Sequence, residues 1–286
     1  MPIEGDFFYE DYTRGAGSRF HIDELIFEGR TDFQEVIIFQ NEMFGRILVL
    51  DDVVQVTTSD EFIYHEMLTH TPMLALDEVK SVLIVGGADG GILREALRHE
   101  GSEATLVDID PQLIDLCKMH LAEVSQGAFD DPRAHIVAGD GFEFVRSSDA
   151  VFDVIICDGT DPLGGPGDVL FSTEFFEACK SRLRPGGVLV TQFAVLHHDL
   201  GLVPLLRRTL GEVFADMRLY TATLPCFFGG AMYFGWGCDD PRVRKTPSTE
   251  ISWRLERSEI KLRYYTPEIH AASFAIPRFL RDLFQD

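Results

Sequence analysis

A chain of 286 residues with 45% hydrophobic and 25% charged side chains has the composition of a globular protein and room for one large domain, or a large and a small one. Its net charge of −22 repels nucleic acid and anionic lipid, which argues against both as partners. That charge fits either a surface that merely aids solubility or a site for small polycationic molecules.

No run of about 18 apolar residues occurs, the length that a membrane-spanning helix needs. The first twenty residues are acidic and lack the apolar stretch of a signal peptide. The cysteines, Cys117, Cys157, Cys179, Cys226 and Cys238, are scattered and never form a C-x-x-C pair. These features predict a cytoplasmic protein with reduced thiols; Cys157, flanked by apolar residues, reads as inert core.

In chain order, residues 19–59 read as strands. "FHIDELIFEG", "FQEVIIFQN", "RILVLDD" and "VVQVTTS" are rich in Val, Ile and Phe with partial period-two alternation, and short polar turns separate them. They predict a small antiparallel unit. "SDEFIYHEMLTHTPMLAL" follows as a helix, with Ser59 or Asp60 as its N-cap. From residue 80 the pattern changes. "SVLIVGG", "EATLVDID", "AHIVAGD", "FDVIICD" and "GVLVTQF" are short apolar runs, with helical stretches at 90–99, 111–124, 141–148 and 172–183 between them. This alternation predicts right-handed βαβ units and a parallel sheet covered on both faces. Apolar runs near 214–223 and 231–238 predict a closing antiparallel pair, and residues 250–286 read as a helical tail.

"VLIVGGADGG" is a strand that runs into a glycine turn and a helix. Glycines there allow positive φ and close approach of a ligand. Asp108 ends the next strand, 22 residues after Gly86, where a ribose-binding acid belongs. The turn is not G-x-G-x-x-G, and Asp89 inside it repels a pyrophosphate. A nucleoside with a cationic tail fits better than a dinucleotide, and S-adenosyl sulfonium compounds meet that description. Asp140, in "IVAGDGFEF", suits either an adenine amino group or the N-cap of the next helix, or both.

Asp158 ends the fourth strand of the series, and Asp161 follows in "DGTDPLGGPGD". Ligands of open α/β sheets bind outside the carboxyl ends of the strands, so Asp108, Asp140 and Asp158 converge there. Several carboxylates in one crevice need positive charge beside them. Magnesium is one candidate and an organic cation the favoured one, because no His or Cys cluster has metal-ligand spacing. His65 and His70, about 140° apart on a helix, cannot share a ligand.

The segments "FQEVIIF", "GRILVLDDVVQVTTSDEFIYHEM", "VLIVGGADGGILRE", "VDID", "GDGFEF", "DGTDP" and "KLRYYTPEIHAASFAIP" resemble the spermidine synthase family of aminopropyltransferases, nearly end to end. The resemblance implies an α/β fold: a Rossmann-like, methyltransferase-type seven-stranded sheet (residues 71–286) behind a small N-terminal antiparallel β domain (residues 1–70), in a homodimer. It implies decarboxylated S-adenosylmethionine as co-substrate, no resident cofactor or metal, and putrescine or a similar diamine as acceptor. Nucleoside contacts fall by resemblance on Gln34, Asp108, Asp140, Gly141 and Pro166. Amine contacts fall on Tyr64, His65, Asp89, Asp158 and Asp161, with Gly159, Thr160 and Phe227 at the acceptor end, and Asp158 takes the catalytic position. Five features depart from the family's habit: Asp108 stands where Glu is usual, Gly159 where Ser, Cys or Thr is common, Phe227 where a tyrosine is, the glycine turn reads "GGADG" where "GGGDG" is usual, and "PLGGPG" carries one more glycine than the usual pattern. Two other readings stay open. One is an amine N-methyltransferase, which would release S-adenosylhomocysteine in place of methylthioadenosine. The other is a polyamine-binding paralogue without turnover.

Overall fold

The computed structural model describes residues 2–13, 15–159, 166–196 and 200–283. Two small sheets come first. Strands β1 (Ile3–Glu4), β2 (Phe7–Thr13) and β3 (Ala16–His21) form one. Strands β4 (Glu24–Arg30), β5 (Glu35–Asn41), β6 (Gly45–Leu50) and β7 (Val53–Thr57) form an antiparallel meander beside it. The alternation along β5 and β6 serves both sides. Ile37, Phe39, Ile47 and Val49 pack with Phe8 and Phe20 of the first hairpin, while Val36, Ile38, Leu48 and Leu50 join the core of the larger domain.

The first hairpin lies mostly upstream of the segment that reads as strand. Its apolar signal is weak because Glu10 occupies an inward position, where its carboxylate accepts the Val54 N–H at 2.8 Å. "FHIDELIFEG" also proves to be two strands. Asp23 breaks it by accepting the Glu42 N–H at 2.7 Å.

Helix α1 (Glu61–Ala75) then leads into the main body. Neither expected cap is made: Asp60 precedes α1, and no side-chain bond caps the helix. Its carboxylate instead accepts the Thr57 hydroxyl at 2.6 Å and the Cys226 N–H at 2.8 Å, tying α1 to a distant turn.

The body alternates β8 (Ser81–Gly86), α2 (Gly91–Leu97), β9 (Glu103–Asp108), α3 (Pro111–His120), α4 (Ala122–Ser125), β10 (Ala134–Ala138), α5 (Gly141–Ser147), β11 (Phe152–Asp158), α6 (Thr173–Ser181), β12 (Leu183–Ala194) and α7 (Leu202–Val213). Strands β13 (Asp216–Thr223) and β14 (Ala231–Cys238) complete a seven-stranded sheet of order β10-β9-β8-β11-β12-β14-β13. The first five strands are parallel, and β14 is antiparallel to both of its neighbours. The seven strands and the N-terminal antiparallel region match the expected fold.

Both faces of the central strands are covered, while the edge strand β10 is largely exposed. Val82 and Ile84 of β8 pack on the side of α1 and α2, and Leu83 and Val85 on the side of α6 and α7. Continuous apolar runs are what two buried faces require. Strand order reverses between β8 and β11, which makes the crevice there a topological switch point.

The tail adds α8 (Pro241–Arg244), α9 (Ser248–Ser258), α10 (Pro267–Ser273) and α11 (Arg278–Asp282). Buried Glu66 of α1 holds this segment, accepting the N–H groups of Arg263, Tyr264 and Tyr265 at 2.8, 2.9 and 2.8 Å. Glu66→Ala leaves those donors without their acceptor and should lower unfolding free energy by about 2–3 kcal/mol. An unchanged urea midpoint in that variant would show that the clamp contributes nothing.

Candidate active site

The glycine turn after β8 is shaped by its neighbours. Gly86 has φ +87°, and a Cβ there would lie 2.1 Å from the Asp158 carbonyl oxygen. A Cβ on Gly91 would strike the His65 ring at 2.2 Å. Only glycine lets β8, β11 and α1 meet at one point. The turn places Asp89 so that one carboxylate oxygen accepts the Gly91 N–H at 2.7 Å and the other faces His65 Nε2 at 3.4 Å.

Asp108 ends β9, buried, with Oδ1 accepting the Asp110 N–H at 2.8 Å. Asp110 in turn caps α3 through the Leu113 N–H. Its other oxygen accepts the Thr31 hydroxyl at 2.6 Å and the Gln34 amide at 2.9 Å. Gln34 therefore reaches the Asp108 corner from the N-terminal meander, with its amide engaged by Asp110. Asp140 is an N-cap, accepting the Glu143 N–H at 2.9 Å with one oxygen. Gly141 beside it lets α5 start against β8, since a Cβ there would lie 2.4 Å from the Val85 side chain.

Asp158 stands at the end of β11 in register with Gly86, and the Tyr64 hydroxyl donates to its Oδ1. Gln192 of β12 donates to the Gly159 carbonyl at 2.6 Å and fixes the backbone just past the end of β11. Phe227 is half-buried and packs against the same core cluster as Tyr64. Thr160 and Asp161 lie outside the described residues, as does the Pro166 side chain. The structure thus brings Tyr64, His65, Asp89 and Asp158 together and places Asp108 within their electrostatic reach.

Burial and mutual repulsion divide the carboxylates into different roles. Burial raises Asp158, and the Asp89 charge raises it further. The Tyr64 hydrogen bond and His65 act the other way, and the group settles at about 7. Burial likewise raises Asp108 to about 6. Burial also raises Asp89, but its charge partner His65 outweighs that and holds Asp89 below the usual carboxylate range. Burial lowers His65, yet Asp89 and then Glu61 overcome it and lift the imidazole to about 10. His65 is therefore a cation between two anions at neutral pH. Among the described residues, no group of three His, Cys, Asp or Glu is arranged to hold a metal ion.

Reading the sequence missed Glu61, Arg94, Asp110 and Gln192. Glu61 and His65 stand four apart on α1, a spacing that puts them on one helix face. That signal was available in "DEFIYHEM". Asp110 and Gln192 carry no such signal.

The fold is Rossmann-like, of the methyltransferase type. A family model described as the spermine/spermidine synthase domain matches residues 61–247. One described as the spermidine synthase tetramerisation domain matches residues 7–58. The chain is 45% identical over 274 residues to polyamine aminopropyltransferases of Pseudomonas syringae pv. tomato and Pseudomonas aeruginosa, covering 96% of this chain and 96% of each relative. A crystal structure of spermidine synthase in complex with the transition-state analogue AdoDATO matches with a TM-score of 0.92 at 35% identity, covering 99% of this chain and 96% of that one. The enzyme from Thermotoga maritima matches with 0.90 and 34%, at the same coverage. The chain belongs to the spermidine and spermine synthase family.

The titration of Asp158 tests the local electrostatics directly. Tyr64→Phe removes a bond that favours the carboxylate and should move Asp158 above about 7. Asp89→Asn removes a repelling charge and should move it below. Carbon-13 shifts of labelled aspartate, followed through pH 5–9, report both; shifts in the opposite directions would sink this account.

Proposed function

We propose that the protein is a polyamine aminopropyltransferase. It moves the aminopropyl group of decarboxylated S-adenosylmethionine to a diamine, putrescine or one like it, giving spermidine or an analogue plus methylthioadenosine. The observation that carries this reading is Asp158: a carboxylate at the switch point of the sheet, bonded to Tyr64 and poised at about 7. A base that titrates near neutrality can take a proton from an amine that binds as its ammonium form.

In the reaction, the acceptor nitrogen attacks the methylene carbon bonded to sulfur. A C–N bond forms, the C–S bond breaks, and the neutral thioether leaves with the bonding pair. The proton lost by the acceptor goes to Asp158. A diamine nitrogen with a pKa near ~10 is neutral in only about one molecule per thousand at pH 7, so a base aimed at it raises the reactive fraction. Positioning adds to this, because the attack is in line.

Gln34, Asp108, Asp140, Gly141 and Pro166 are assigned to the nucleoside. Tyr64, His65 and Asp89 are assigned to the amines. Gly159, Thr160, Asp161 and Phe227 shape the acceptor end. Asp89 takes the ammonium of the donor tail and repels the carboxylate of intact S-adenosylmethionine. The enzyme needs no resident cofactor. The tetramerisation-domain description supports self-association, with a dimer as the unit proposed, and the cytoplasm is the proposed location.

Incubation with decarboxylated S-adenosylmethionine and diamines of three to five carbons, agmatine and spermidine, with products identified by mass, tests the whole reading. Release of S-adenosylhomocysteine from intact S-adenosylmethionine, with no aminopropyl transfer, would replace it with N-methylation. Asp158→Asn should lower turnover by about 10²–10⁴-fold while methylthioadenosine still binds. Because protonated Asp158 cannot accept a proton, kcat/KM of the wild type should fall as pH drops through about 7. A flat profile from pH 6 to 8 counts against Asp158 as the base. Asp89→Asn should weaken the decarboxylated donor by about 10–100-fold, the span of a hydrogen bond between charged partners, and narrow its advantage over S-adenosylmethionine. An unmoved ratio of the two affinities would detach Asp89 from the donor's tail.

A further inference from the structure

Behind Asp89, charged groups alternate in sign back into the core. His65, 1% exposed, bonds Glu61 Oε2 through Nδ1 at 2.6 Å and faces Asp89 Oδ2 through Nε2 at 3.4 Å. Glu61 is 5% exposed. Arg94 of α2 grips both of its oxygens, with Nη1 to Oε1 at 3.1 Å and Nη2 to Oε2 at 3.0 Å. Arg94 is itself held by Glu95, from Nε to Oε1 at 2.8 Å. The other groups around the imidazole are the Tyr64 ring, edge-on at 5.5 Å between centroids, and the backbone at Gly91, which leaves no room for a Cβ. Asp158 acts on it through space.

We propose that Glu61, aimed by Arg94, is a positioning residue for the donor's tail. It holds the imidazolium of His65 by its Nδ1–H, so that the Nε2–H is always turned to Asp89 and fixes that carboxylate for the ammonium that Asp89 takes. The proposal rests on the assignment of Asp89 given above and extends it to two residues that touch no substrate.

The argument is one of hydrogen-bond capacity. An ionised carboxylate only accepts. With Glu61 held as a carboxylate by the Arg94 fork, Nδ1 must donate in every charge state of the ring. Nε2, protonated as well in the imidazolium, donates toward Asp89. Glu61 on one side, Asp89 on the other and the Gly91 backbone against the ring fix its orientation. This is the logic by which a buried acid orients a histidine and stabilises its charged form. A pair that merely braced α1 against α2 would have no need to reach the imidazole, and Glu61 does so at 2.6 Å.

Glu61→Gln tests the idea, because an amide keeps the shape of the carboxylate but loses the charge that holds the imidazolium. Its KM for decarboxylated S-adenosylmethionine should rise about 10-fold or more, the usual cost of losing an orienting partner, with a smaller change in kcat. Binding of methylthioadenosine, which lacks the tail amine, should stay unchanged. The nitrogen-15 shifts of His65, followed with pH, should show the imidazolium losing its proton at lower pH than in the wild type. Arg94→Lys keeps the charge but removes the fork, so it should show the same selective loss at smaller size, and it carries the test if Glu61→Gln does not fold. Equal losses for both ligands would make the pair a brace and overturn the proposal, as would unchanged His65 shifts in Glu61→Gln. If the wild type transfers no aminopropyl group, the reaction assigned above falls. The His65 shifts and the two binding constants still report on Glu61 in that case.

Discussion

Mutual repulsion among Asp89, Asp108 and Asp158 is the constraint around which the rest of the molecule is arranged. Three elements of the sheet deliver these carboxylates to one edge, where burial removes the water that would otherwise screen them. Two of them respond by moving toward neutrality, Asp108 to about 6 and Asp158 to about 7. The third, Asp89, stays ionised because His65 lies beside it. Three identical side chains thus acquire different chemistry from their neighbours alone.

Holding such groups close requires a scaffold that cannot relax. Gly86 leaves no space between β8 and β11, and Asp158 hangs from the middle of a sheet buried on both faces. The parts outside the sheet's centre are tied back to it by polar bonds. Thr31 and Gln34 fasten the meander to Asp110. Asp60 fastens the β13–β14 turn to the start of α1, and Glu66 fastens the tail. Each tie crosses between elements far apart in sequence, and each uses a carboxylate as the acceptor. A chain with a net charge of −22 therefore spends part of its acidity on internal joints, so the charge does not measure its attraction for cations alone.

The sheet was legible because its central strands are buried on both faces. Runs such as "SVLIVGG" and "FDVIICD" have no other reading once helices separate them, and the position of Asp108 and Asp158 at strand ends follows from those runs. The first hairpin was not legible, since Glu10 stands where an apolar residue would have announced a strand. Asp60 looked like a helix cap because its position allows one, but its partners lie at Thr57 and at residue 226. Asp140 was balanced between cap and ligand contact, and the cap is made. What sequence spacing conveys poorly is a network of buried ions. Arg94 pairs with Glu61 across 33 positions, and no local pattern marks the pair.

The poise of Asp158 also bears on how the site manages its own charge. With no cation bound, an acid at about 7 is near half-protonated at neutral pH, which relieves the repulsion from Asp89 and Asp108. A sulfonium or ammonium entering the crevice reverses that balance, because positive charge favours the ionised form. In the proposed reaction the proton then leaves Asp158, and the arrival of the cationic substrate creates the carboxylate that acts as base. A permanently ionised aspartate would add to the repulsion whenever the site was empty. A permanently protonated one could not serve as a base. The intermediate value follows from burial opposed by a single tyrosine hydroxyl and a neighbouring imidazolium, so stability of the empty site and reactivity of the loaded one come from the same few contacts.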